Sequence, residues 1–125
     1  MARILLADDD AHIVRVMSIW LERHGYDLVT ASNGAEALEV LDRGGIDLIV
    51  SDMNMPVMDG VAMARAIRDR GEVDVPILLL TARCDQQKLA GQMEEYRVLV
   101  YPKPFVPSKL VAEVNRLLGP VPTTP

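Results

Sequence analysis

Four apolar runs in this chain lead into side chains that can do chemistry. "RILLA" (residues 3 to 7) runs into Asp8, Asp9 and Asp10. "IDLIVS" (46 to 51) runs into Asp52, "VPILLL" (75 to 80) into Thr81, and "RVLVY" (97 to 101) is followed by Pro102 and Lys103. A carboxylate at the mouth of an apolar strand costs several kcal/mol unless something compensates it. Crowded carboxylates must share either a proton or a cation. A hard divalent ion with oxygen ligands, Mg²⁺ or Mn²⁺, meets that need, and Mg²⁺ commonly takes one or two carboxylates together with phosphate oxygens. Lysine supplies a compact charge for a phosphoryl oxygen, a threonine hydroxyl can donate to another, and a carboxylate can itself be the nucleophile. Phosphoryl transfer needs mainly positioning and charge neutralisation. The set fits phosphorylation of an aspartate.

Such side chains must be carried to one place. Short Ile, Leu and Val runs alternate with helical spacing along the chain. Strands are expected at 3 to 7, 26 to 31, 46 to 51, 75 to 81 and 97 to 101. Helices are expected at 11 to 24, 32 to 45, 60 to 71, 85 to 95 (weak, with Gly91 inside) and 107 to 118. Helix one places Ile13, Val16, Met17, Trp20 and Leu21 at helical spacing. Near-continuous apolar strands alternating with helices predict a parallel sheet covered on both faces, a doubly wound α/β fold of five strands and five helices. In such folds ligands lie beyond the carboxyl ends of the strands. That rule gathers Asp8, Asp9, Asp52, Thr81 and Lys103 on one edge.

Composition narrows the alternatives. The 125 residues suit one domain, and the net charge of −5 gives no general pull toward nucleic acid or anionic lipid. The single cysteine, Cys84, allows no internal disulfide, and the apolar start is too short for a signal peptide or a membrane span, so a cytoplasmic protein is expected. Three aspartates after strand one would repel the phosphate of a flavin. Asn54 stands where an aspartate-nucleophile phosphatase commonly carries a second acid, which argues against a hydrolase. His12 and His24 read as surface residues, Cys84 as inert, Met53, Met55 and Met58 as packing and loop residues, Asp10 equally as a helix cap or a functional acid, and Asp59 as a cap or turn residue before helix three.

Taken together, "ILLADDD", "SDMNMPVMDG", "ILLLTAR" and "YPKPF" resemble the receiver domain of bacterial two-component response regulators, chemotaxis-regulator-like, from about Arg3 to about Leu118. The resemblance implies a flavodoxin-like sheet of strand order 2-1-3-4-5. It implies a receiver at residues 1 to 118 and a Pro-rich tail or truncated linker at 119 to 125. It makes Asp52 the phospho-acceptor, Asp9 a direct Mg²⁺ ligand, Asp8 a ligand acting through water, and Asn54 a backbone-carbonyl ligand. Thr81, Ala82 and Lys103 become the phosphate-binding group, with Lys103–Pro104 a cis peptide. Thr81 and residue 100 form the switch pair, yet Val100 stands where members usually carry Tyr or Phe.

The function so implied is a phosphorylation-dependent signalling switch, a regulatory acceptor rather than an enzyme that turns over. Its phosphoryl group would come from a sensor histidine kinase or a phosphotransfer protein. Its output would pass to an effector protein or a fused output domain. No direct nucleic-acid or membrane contact is expected, and the chain would be a monomer or a weak dimer through helix four, strand five and helix five. The alternative is a receiver-like interaction module with little or no phospho-switching, because Val100 has no ring.

Overall fold

The computed structural model describes residues 2–71, 74–104 and 106–119. Five strands and five helices alternate: β1 (Arg3–Ala7), α1 (Ala11–Arg23), β2 (Asp27–Ala31), α2 (Gly34–Asp42), β3 (Leu48–Asp52), α3 (Gly60–Asp69), β4 (Ile77–Thr81), α4 (Gln86–Met93), β5 (Val98–Pro102) and α5 (Pro107–Leu118). Single 3-10 turns at Arg83–Asp85 and Glu94–Tyr96 flank α4. All strands are parallel in the order β2-β1-β3-β4-β5, as expected. Phe105 of "YPKPF" and the Pro-rich stretch from residue 120 onward lie outside the described residues.

Period-two alternation divides the core between the two faces of the sheet. Leu5, Ile49, Ile77, Leu79 and Val100 pack with Ala37, Leu41, Met63, Ile67, Leu89 and Met93 of α2, α3 and α4. Ile4, Leu6, Leu48, Val50, Leu78 and Leu80 pack with Met17 and Leu21 of α1 and Leu110, Val111 and Val114 of α5. Because the strands are covered on both sides, the central ones read as unbroken apolar runs.

The caps follow local chemistry. Asp10 accepts from the His12 and Ile13 amides, Asn33 from Glu36, and Asp59 from Ala62, each satisfying an open helix N-terminus. Pro107 occupies the first turn of α5, where no amide partner is lost. Gly25 takes φ +88° behind α1, a left-handed conformation that ends the helix without the strain a Cβ would bring.

Two details go beyond the sequence reading. Trp20, at helical spacing with the residues α1 buries, is itself 37% exposed and stacks on the His24 ring, whose Nδ1–H donates to the Trp20 carbonyl at 2.8 Å. Helical spacing alone could not decide this, since the stripe is wider than the face that α1 buries. The α4 region is also divided: the expected run at 85 to 95 is eight α-helical residues between two 3-10 turns.

Candidate functional site

Register sets the edge. Ala7 lies opposite Ser51, so the chain carries Asp8 out of β1 level with Asp52 at the end of β3. Asp52 lies opposite Leu80, which puts Thr81 one residue beyond, and Thr81 lies opposite Pro102, directly before Lys103. The Lys103 amide donates to the Thr81 carbonyl at 2.7 Å, tying the two strand ends together. Lys103–Pro104 is cis, as the resemblance implies.

Carboxylate oxygens of Asp8, Asp9 and Asp52 all lie within 4.8 Å of one another. Asp8 and Asp52 are buried, whereas Asp9 faces solvent. Burial pushes the Asp8 carboxyl up to about 6, helped by the neighbouring charges of Asp52 and Asp9. The Asp10 amide, which donates to Asp8 Oδ1 at 2.9 Å, and the Lys103 ammonium both oppose the rise. Lys103 Nζ approaches Asp52 Oδ1 at 2.5 Å, an ion pair off the hydrogen-bonding direction, so no donor is aimed at that oxygen. The Thr81 hydroxyl is buried and likewise lacks a hydrogen-bond partner. Buried polar atoms without partners are rare, and two of them, Asp52 Oδ1 and Thr81 Oγ1, meet on this edge. Three carboxylates with one lysine leave an excess of negative charge, which is the donor set a hard divalent cation takes. The residues present therefore fit Mg²⁺.

The loop that follows Asp52 is held tightly. The Gly60 amide donates to the Met53 carbonyl at 2.8 Å, and a Cβ on Gly60 would meet the Asp52 carbonyl oxygen at 2.7 Å and Met53 Cα at 3.1 Å. Only glycine lets α3 start this close to the Asp52 backbone. Ser51 Oγ donates to the same Asp52 carbonyl at 2.8 Å. Asn54 is exposed at the head of the loop, and Ala82 beyond Thr81 is half-buried. Beside the acids opens a cavity of about 600 Å³, walled by Ile13, Met17, Ala82 and Pro104 and rimmed by Asp8 and Lys103.

The remaining sequence readings fall as follows. Val100 packs against the α3–α4 side of the sheet, and Tyr101 turns to the opposite face, as alternation requires. There the Tyr101 hydroxyl donates to Glu113 at 2.5 Å, and Arg116 donates to Glu113 at 2.7 Å. Burial and the Glu113 bond raise the Tyr101 phenol, and the Arg116 and Tyr101 bonds lower the Glu113 carboxyl. His12, His24 and Cys84 are all exposed. Sequence reasoning did not find Gln86, whose Nε2 donates to the Val100 carbonyl at 3.0 Å. Nor did it find Val57, which is 85% exposed and holds φ +68° where a Met58 amide donates back to the Pro56 carbonyl. No pattern marks a glutamine that reaches from the start of a helix to the carbonyl of a strand.

Fold and edge together define a doubly wound α/β domain centred on an acid cluster. The chain belongs to the response regulator receiver domain family, whose model matches residues 4–115. It is thus a regulatory domain of the two-component type. It is 38% identical over 116 residues to the transcriptional regulatory protein PrrA of Mycobacterium tuberculosis, covering 93% of this chain and 49% of that protein. To the alkaline phosphatase synthesis transcriptional regulatory protein PhoP of Bacillus subtilis it is 37% identical over 120 residues, covering 93% and 48%. The chain spans about half the length of these relatives. Among solved structures, the chemotaxis response regulator CheY4 of Vibrio cholerae superposes with a TM-score of 0.84 at 34% identity, covering 94% of this chain and 98% of that one. Among the described residues, no helix is long and apolar enough to cross a membrane.

Proposed function

We propose that this domain is a phosphorylation-dependent switch that accepts a phosphoryl group on Asp52 from a phosphohistidine of a sensor kinase or phosphotransfer protein. The observation that carries the reading is the buried Asp52 carboxylate, with Lys103 at 2.5 Å and the unpartnered Thr81 hydroxyl on the same edge. In the transfer, an Asp52 oxygen forms the new P–O bond as the donor's P–N bond breaks, and the departing imidazole nitrogen keeps the electron pair and takes up a proton. Lys103 neutralises one phosphoryl oxygen, Thr81 donates to another, and the small Ala82 leaves room for them. Asp9, Asp52 and the Asn54 carbonyl would hold Mg²⁺, with Asp8 acting through water. Bound there, the ion supplies charge neutralisation for the phosphoryl oxygens.

On this reading the receiver spans residues 1 to 118, works in the cytoplasm, and passes its state to an effector or fused output domain through α4, β5 and α5. The test is intact-mass measurement after incubation with Mg²⁺ and a small phosphodonor. The wild type gains one phosphoryl mass and Asp52→Asn does not. A wild type that binds Mg²⁺ yet never gains that mass from a donor or kinase removes the reading. It would favour the second one, an interaction module without phospho-switching, for which the ringless Val100 speaks.

A further inference from the structure

Thr81 and Gln86 are joined by four residues, Ala82 to Asp85. Three of these form a single 3-10 turn, closed by the Asp85 amide on the Ala82 carbonyl at 3.0 Å. A turn this short has little slack, so a displacement of Thr81 reaches the first residue of α4. Asp10, Asn33 and Asp59 cap α1, α2 and α3, but Asp85 makes no side-chain cap on α4. Its buried residues are Leu89 and Met93, and Gly91 stands in open space. At its first position, Gln86 Nε2 reaches the Val100 carbonyl at 3.0 Å. β5 is the edge strand of the sheet, so part of its backbone faces away from β4, and Gln86 satisfies one of those carbonyls.

Residue 100 offers little to a side-chain route. The Val100 side chain is 7% exposed within the core cluster that includes Leu79, Leu89 and Met93, and a valine has one strongly preferred rotamer and little area to expose. Its carbonyl, by contrast, is already bonded to the helix that follows Thr81. The Gln86 side chain is only half-buried, so water can take its place on that carbonyl at less cost than in a fully buried bond.

We propose that Gln86 is the positioning residue through which the acceptor edge acts on the output face of this chain. The proposal rests on the phospho-acceptor reading above. Movement of Thr81 toward a phosphoryl group on Asp52 draws the 83–85 turn with it, parts Gln86 from the Val100 carbonyl, and loosens the start of α4 on β5. A ligand shifts such an equilibrium only through differential contact with the two states, and here the differential contact is this one bond.

Hydrogen exchange on the full chain with Mg²⁺, with and without beryllofluoride, tests it in wild type, Gln86→Leu and Gln86→Lys, the last keeping a donor at the end of a similar chain. In wild type, beryllofluoride should speed exchange of residues 86 to 93 by roughly five-fold, the effect of losing one ordinary hydrogen bond on local opening. Gln86→Leu should show that fast exchange without beryllofluoride and respond further by less than about two-fold, while residues 81 to 85 respond as in wild type. Gln86→Lys should restore the wild-type pattern. A Gln86→Leu protein with wild-type basal exchange and wild-type response overturns the proposal, as does a wild type whose α4 stays silent while residues 81 to 85 respond. Mass measurement of Asp52 phosphorylation in the same samples separates the two claims. Equal phosphorylation of wild type and Gln86→Leu keeps the acceptor reading whatever the exchange shows, and no phosphorylation of either removes both.

Discussion

At the scale of the residue, the decisive feature is how one acidic run is divided. Asp8 goes inward, Asp9 outward, and Asp10 caps α1. Burial raises the Asp8 carboxyl from 3.8 to about 6, so the metal-free fold favours its neutral form. That preference stabilises the protein fully below pH 4 and is lost as pH rises through about 6. Asp8→Asn keeps an oxygen to accept from the Asp10 amide and carries no charge. In chelator it should therefore match wild type near pH 4 and exceed it at pH 7, by on the order of 1 kcal/mol because the site opens to solvent on one side. With Mg²⁺ the order should reverse at pH 7. Urea unfolding across this range checks it, and a gap that stays constant with pH in chelator would assign Asp8 to packing alone.

At the scale of the element, the strands and the capped helices are set by short-range chemistry, whereas α4 has no side-chain cap and is held by the packing of Leu89 and Met93 against the sheet. Gly91 lies inside α4, and a Cβ added there would meet nothing within 4 Å, so no close approach requires glycine at this position. Glycine costs a helix interior about 1 kcal/mol relative to alanine. Gly91→Ala should raise stability by about 0.5 to 1 kcal/mol in thermal unfolding and slow amide exchange within α4. A destabilised variant would show that the position is crowded in the folded state. Gly60 and Gly34 are the opposite case: a Cβ there would meet the carbonyl oxygens of Asp52 and Met58 at 2.7 and 2.6 Å. These two glycines let the loop after Asp52 lie against the starts of α2 and α3.

At the scale of the whole molecule, the acid cluster is a local cost that the rest of the fold sustains. The sheet is buried on both faces by five helices, and its strand ends carry the acids together whether or not they attract. A cation that binds the folded edge and not the unfolded chain must stabilise the entire domain. At ten times its dissociation constant, Mg²⁺ should add about 1.4 kcal/mol, or roughly 5 °C in Tm for a domain of this size. Asp9→Ala should lose most of that increment while unfolding normally in chelator. A Tm of the wild type that ignores millimolar Mg²⁺ would count against a metal at this edge.

What the sequence by itself determined was the alternation of elements, the candidacy of Asp10 and Asp59 as caps, and the arrival of Asp52, Thr81 and Lys103 at one edge. These follow from periodicity and capping within a dozen residues, and from the rule that a parallel α/β sheet puts every strand's carboxyl end on one side. Tertiary structure alone decided the rest. It chose Asp8 rather than Asp9 for burial, left Trp20 on the surface, paired Tyr101 with Glu113, and set Gln86 against the Val100 carbonyl. Each of these depends on a group brought from another element, and a side chain's own spacing carries no record of which neighbour will cover it or which backbone group it will meet.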